Sequence, residues 1–247
     1  MKRLLAALLA GTAIAALAGP AQAGPLAITA SLYSPPTTSG ATTVINLTGI
    51  TPPSSAAVQG SGYSISFSVP AGQGVVNGAM SGAYAVPVAG ASAGQPLYLT
   101  GNYGSALTPN IGASGNYLST GIGSITLAFI SDQTAFAMLW GSIDDFNLVT
   151  FLEGSTTIGT VSGNDAAAAL GNGFEPNGSQ GAGGSGYIIV NSTQAFNTII
   201  FSSTSPSFEF TGIIGSTAEI GIREPVSLAL LGSGLAGLGL IRRRRAA

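Results

Sequence analysis

Charge is scarce in this 247-residue chain and unevenly placed: only 6% of residues are charged, histidine and cysteine are absent, and every lysine and arginine lies in residues 1–3 or 223–247. Residues 24–222 therefore carry eight carboxylates, about −8, and no side-chain cation. That excludes nucleic-acid binding and arginine clamps on phosphate, catalysis resting on His, Cys or Lys, zinc sites built on His or Cys, and any salt bridge within this region.

The chain opens with Lys2 and Arg3, an apolar run from Leu4 to Ala18, and Ala21-Gln22-Ala23. This is the order of a secretory signal peptide, residues 1–23, cut after Ala23 with Ala21 and Ala23 as the small residues the peptidase requires. Residues 24–222 are long enough for one sizeable domain. With no disulfide available to an exported chain, its stability must come from apolar burial and sheet hydrogen bonding. Residues 24–60, rich in Pro, Ser and Thr, read as a partly ordered leading arm.

Beyond the arm the pattern is that of strands. Tyr63 to Val69, Ser124 to Phe129 and Ser207 to Thr211 alternate apolar and polar residues, which is the mark of a half-buried strand. Thr43 to Leu47, Tyr84 to Val88, Leu97 to Thr100, Ala135 to Trp140, Phe146 to Glu153, Thr157 to Val161, Tyr187 to Asn191 and Asn197 to Ser202 are further strand candidates. Turn residues separate them at 71–74, Ser131-Asp132-Gln133, 153–155 and the glycine-rich 171–186. Only Asp165 to Leu170 reads as a helix, capped by Asn164 or Asp165. Many short strands without helical alternation predict an all-β fold, an antiparallel β-sandwich of jelly-roll type.

The residue types that remain allow carboxylate chemistry and oxygen-ligated calcium. The best local constellation is Trp140 to Asn147, where Asp144, Asp145 and Asn147 sit in a tight turn between apolar strands. These three could supply calcium ligands, joined by Asp132, Glu153 or Glu209 from elsewhere; alternatively, the turn acids cap backbone N–H groups and face water. No other metal or cofactor is indicated. Trp140, Tyr84, Tyr98, Tyr103, Tyr117 and Tyr187 could form a sugar-stacking platform, with Tyr103 and Tyr117 the best exposed candidates, although the spacing of Trp140 from Met138 and Phe136 fits the inner face of a strand.

At the C-terminus, Arg223-Glu224-Pro225 precedes an uncharged apolar run, Val226 to Ile241, and four arginines, Arg242, Arg243, Arg244 and Arg245. As a helix the run spans about 24 Å against a hydrocarbon core of ~30 Å, a short membrane span that snorkelling arginines can complete. Arginines kept on the cytoplasmic side leave the body outside. This tail resembles the PEP-CTERM sorting signal of Gram-negative envelope proteins, with Arg223 where the first proline usually stands. The resemblance covers residues 223–245. It implies recognition by an exosortase-type membrane protease or transpeptidase, transient inner-membrane anchoring, removal of the tail, and delivery to the cell surface or exopolysaccharide matrix. Trp140 to Gly154, Phe201-Ser202-Ser203 and Phe208-Glu209-Phe210 are also similar to the strand-turn-strand core of exosortase-dependent surface proteins, a resemblance that implies the β-sandwich more than any ligand.

The expected function is thus that of a non-enzymatic structural or adhesive envelope component, whose partners are signal peptidase, the exosortase-type enzyme and the membrane. The alternative is a carbohydrate-binding module for exopolysaccharide, with or without calcium. A carboxylate hydrolase is a third class, and it requires Asp144 and Glu209 to share a cleft.

Overall fold

The computed structural model describes residues 24–32, 36–88, 115–171 and 173–222. The expected signal peptide, the strand expected at Leu97 to Thr100, Tyr98, Tyr103 and the expected sorting tail with its apolar run lie outside the described residues. No helix among the described residues is long and apolar enough to cross a membrane.

Among the described residues the fold is all-β and antiparallel, with one short α-helix. In chain order the strands are β1 (Leu26–Ser31), β2 (Pro36–Thr38), β3 (Thr42–Val44), β4 (Val58–Gly60), β5 (Tyr63–Ser68), β6 (Gly74–Asn77), β7 (Asn116–Ser119), β8 (Gly123–Gly141), β9 (Asn147–Glu153) and β10 (Thr156–Ser162). After the helix α1 (Gly163–Leu170) come β11 (Gly186–Ser203), β12 (Glu209–Ser216) and β13 (Ile220–Ile222). Eleven strands are hydrogen-bonded into one sheet, and β13 pairs with β2 beside it.

The two long strands organise everything else. β8 and β11 pair antiparallel along their length, from Gly186 opposite Trp140 to Ser203 opposite Gly123, with register breaks around Phe196. The breaks divide the sheet into two halves. In one, the first part of β8 has β5 on its other edge, and the last part of β11 has β9, followed by β10. In the other, the first part of β11 has β1 on its outer edge, and the last part of β8 has β12. β12 in turn meets β7 and β3.

Ser131-Asp132-Gln133 is therefore not a turn between two strands, as the sequence suggests, but a bulge within β8. Ile125, Leu127 and Phe129 face the core before it, and Phe136, Met138 and Trp140 face the core after it. The inward positions change from odd to even, which is what an irregular insertion does to a two-residue period. β11 makes the same change between Ile188 and Val190 at one end and Ile199 and Phe201 at the other, so Tyr187 to Asn191 and Asn197 to Ser202 also belong to one strand. Gln133 closes the β8 bulge by donating from Nε2 to the carbonyls of Ser131 (2.8 Å) and Asp132 (3.1 Å).

The leading arm is built into the sheet, since β1 pairs residue by residue with β11 from Leu26–Ser192 to Ser31–Tyr187. Tyr84 to Val88 is not a strand: Tyr84 makes only an isolated bridge to Met80. The helix begins two residues before the expected one, on a different cap. Ser162 accepts from the Asp165 backbone N–H while the Asp165 carboxylate accepts from the Ser162 N–H (2.8 Å), a reciprocal capping box.

An aromatic spine fills the centre. Trp140 stacks on Phe208 (4.5 Å between centroids) and Phe201 on Phe210 (4.1 Å), and Phe136, Phe151, Phe196 and Phe129 continue the series edge-on or tilted. The opposite face of the β8–β11 pair holds a smaller cluster of Ala135, Ala137, Ile189, Ile214 and Ile220 under β13.

Candidate acidic cleft

Alternation along Phe208-Glu209-Phe210 sends both phenylalanines into the spine and Glu209 to the other face, as the sequence predicts. That face is not solvent, however. Glu209 is 2% exposed, because the segment around Tyr84 and Ala85 lies across it. The Glu209 Oε1 accepts from the Ala85 N–H (2.9 Å) and from the Ser207 hydroxyl. The Oε2 is buried and has no hydrogen-bond partner among the described residues.

Asp144 reaches the same place from the turn after β8. The turn is tied down by backbone bonds from Ile143 N–H to the Gly184 carbonyl (2.9 Å), from Gly178 N–H to the Ile143 carbonyl (3.0 Å) and from Asp145 N–H to the Pro176 carbonyl (3.1 Å). Ser142 holds a left-handed backbone conformation (φ 44°) that non-glycine residues seldom adopt. Two glycines make room for the aspartate. A Cβ at Gly163 would stand 1.8 Å from the Asp144 carbonyl oxygen, and one at Gly178 would stand 2.4 Å from its Oδ1. Asp144 is only 8% exposed.

Asp144 and Glu209 both line a cleft of about 330 Å³, together with Tyr84, Ser142, Gln180 and Ser207. Burial pushes the Glu209 carboxyl up from 4.5 to about 7; the bonds from Ser207 and Ala85 oppose the rise, and the charge of Asp144 adds to it. Burial, then the charge of Asp145, pushes Asp144 up from 3.8 to about 6. Burial also raises the Tyr117 phenol, with the charges of Glu209 and Tyr84 contributing. Residues 24–222 contain no side-chain cation to pair with a buried carboxylate, and with its pKa at about 7 the Glu209 carboxyl is partly protonated and partly ionised near neutrality.

The residues of the turn set expected to hold calcium stand in different settings. Asp145 faces solvent. Asn147 is an internal brace: its Oδ1 accepts from the Ser203 hydroxyl (2.7 Å) and its Nδ2 donates to the Ser207 carbonyl (3.4 Å). Asp132 and Glu153 are exposed at the β8 bulge and the end of β9. Among the described residues no three acidic groups converge on one point.

The described members of the aromatic platform, Trp140, Tyr84, Tyr117 and Tyr187, do not form one exposed face. Trp140 is fully buried, and Tyr117, expected in an exposed loop, is buried on β7 with its ring edge-on to Tyr84 (6.2 Å). Tyr187 is buried on β11, and among the described aromatics of this set only half-buried Tyr84 borders the cleft. The sequence pattern missed the cleft's cover: Tyr84 reads as the start of a strand, and Gln180 as part of a glycine-rich turn segment.

Comparison with family models, with curated proteins and with solved structures returns no match for this chain.

Proposed function

We propose that the chain is an exported component of the bacterial envelope or extracellular matrix, sorted by its PEP-CTERM-type tail and acting as a non-enzymatic structural or adhesive part. On this reading the two half-sheets, joined through β8 and β11, are the layers of a jelly-roll-like β-sandwich. Signal peptidase acts after Ala23. The exosortase-type enzyme reads Arg223, Glu224 and Pro225, the apolar run and Arg242 to Arg245. The supporting observation is the partition of charge: every cation sits in the two terminal segments, and the body between them is acidic. Intact-mass analysis of the protein extracted from the cell surface tests the reading. A chain beginning at Gly24 and lacking the tail is the expected result, and one still ending at Ala247 overturns it.

One observation favours a second reading, exopolysaccharide binding. The cleft has the size of a small ligand site and is lined by carboxyl, hydroxyl and amide oxygens beside one tyrosine ring. Glycan-array binding, run with calcium and with chelator, decides it. No retained glycan in either condition removes this reading, and release of reducing sugar would replace it with carboxylate hydrolysis.

A further inference from the structure

We propose that the cleft between Asp144 and Glu209 is a site for a hard divalent cation of the calcium class, built from these two carboxylates and neutral oxygens around them. It rests on the exported reading only for a supply of the ion; binding itself does not depend on sorting.

Three observations point to a cation. The first is the unpartnered, buried Oε2 of Glu209, whose carboxyl is held in the cleft wall between the Ala85 amide and the Ser207 hydroxyl. An acceptor left unsatisfied in such a place costs roughly 1–3 kcal/mol, more when charged. A bound ion removes that cost.

The second is the pairing of Glu209 with Asp144 across one small cavity. Two carboxylates that repel each other in the free protein become cooperating ligands once a cation stands between them. No lysine, arginine or histidine anywhere in residues 24–222 can take that place.

The third is the donor set. The side chains bordering the cleft offer carboxylate, hydroxyl and amide oxygens from Asp144, Glu209, Ser142, Ser207 and Gln180, and neither histidine nor cysteine. Such a set suits calcium or magnesium and disfavours zinc or copper. Two carboxylates and neutral oxygens describe a site of modest affinity, with a dissociation constant on the order of 0.1–1 mM, the range of extracellular calcium modules. These ligands differ from the local turn set: Asp144 is kept, Glu209 takes the place of Asp145, and Asn147 stays a brace.

Terbium luminescence on the full-length chain in detergent tests the site, because the Tyr84 ring borders the cleft and can sensitise a bound lanthanide. Saturable luminescence at pH 8, displaced by calcium, is the expected result. Glu209→Gln and Asp144→Asn should each weaken binding at least tenfold, while Asp145→Asn leaves it unchanged. Affinity should also rise at least tenfold from pH 5 to pH 8, since the ion competes with the carboxyl protons. The proposal is overturned by an absent or non-saturating signal, by wild-type affinity in Asp144→Asn or Glu209→Gln, or by a loss confined to Asp145→Asn. If Glu209→Gln fails to fold, Asp144→Asn alone decides. A tail-processed surface protein that binds no terbium sinks the cation site and leaves the envelope reading standing; a terbium-binding chain that keeps its tail does the reverse.

Discussion

On one side of the chain entering β12, Phe208 and Phe210 join the aromatic spine, ring on ring with Trp140 and Phe201. On the other side, one residue away, Glu209 is buried just as deeply against the Tyr84–Ala85 segment with an oxygen left unpaired. The first environment is apolar apart from the buried indole N–H of Trp140, which does not titrate; its strength depends on contact and volume, which pH does not touch. The second buries ionisable groups in a region with no opposite charge, and its contribution depends on whether a proton or a cation is present. Equal burial thus has opposite meanings on the two faces of one short segment.

The largest effect should come from the apolar face. Phe201 is fully buried and touches Phe136, Phe208 and Phe210. Phe201→Ala should lower stability by about 3–5 kcal/mol through lost transfer energy and the cavity left behind. Urea unfolding at pH 5 and at pH 8 checks this, and the loss should be equal at both. A loss that changed with pH would mean that the spine and the cleft are not energetically separate.

The same contrast explains what could be read in the residues beforehand. Tyr63 to Ser68 and Asn147 to Glu153 form strands where uninterrupted alternation or a dense apolar run places them. The alternation along β8 and β11 is equally clear, but each changes phase midway, so each long strand looks like two short ones until partners on both edges show the continuity. β1 and β7 carry weak local signals and owe their strand form to β11 and β6. Asp144 is legible as an acid in a tight turn between apolar strands, while the burial of Glu209 is not. Its cover comes from Ala85, 124 residues away in the chain, and period-two alternation says only that a side chain points away from one core, never what lies on the other side.

On the acidic face the effect should be smaller and carry a pH signature. Glu209 titrates near 4.5 when unfolded and at about 7 when folded, so between those values the folded state holds more protons. The stability associated with its protonated form is fully present below pH 4.5 and is lost as pH rises through 7. The shift corresponds to about 3 kcal/mol at most. Asp144 acts in the same direction between 3.8 and about 6. Glu209→Gln keeps an oxygen for Ala85 and Ser207 but cannot ionise. It should match the wild type near pH 4 and exceed it at pH 8 in chelator, flattening the stability profile. Denaturant titrations across pH 4–8 measure this; a variant less stable than wild type at pH 8 would show that the ionised form is favoured in the fold, against the burial argument.

The smallest effect probes the seam between the two environments. α1 starts against the cleft turn: its first residue, Gly163, packs so closely on the Asp144 carbonyl that no side chain fits, while Ala166 and Leu170 lie in the apolar core. Its start is secured by the Ser162–Asp165 capping box. Ser162→Ala removes the acceptor for the Asp165 N–H and should cost about 1 kcal/mol. If the helix start merely packs beside the cleft, the cost is the same at pH 5 and pH 8 and the Glu209 titration stays where it was. If it positions Asp144, loosening the turn lets water into the cleft, the carboxyls fall back toward their ordinary values, and the pH slope shallows together with the loss of stability. Parallel unfolding curves at the two pH values separate these outcomes, because a lost cap alone shifts both midpoints equally and an opened cleft brings them together.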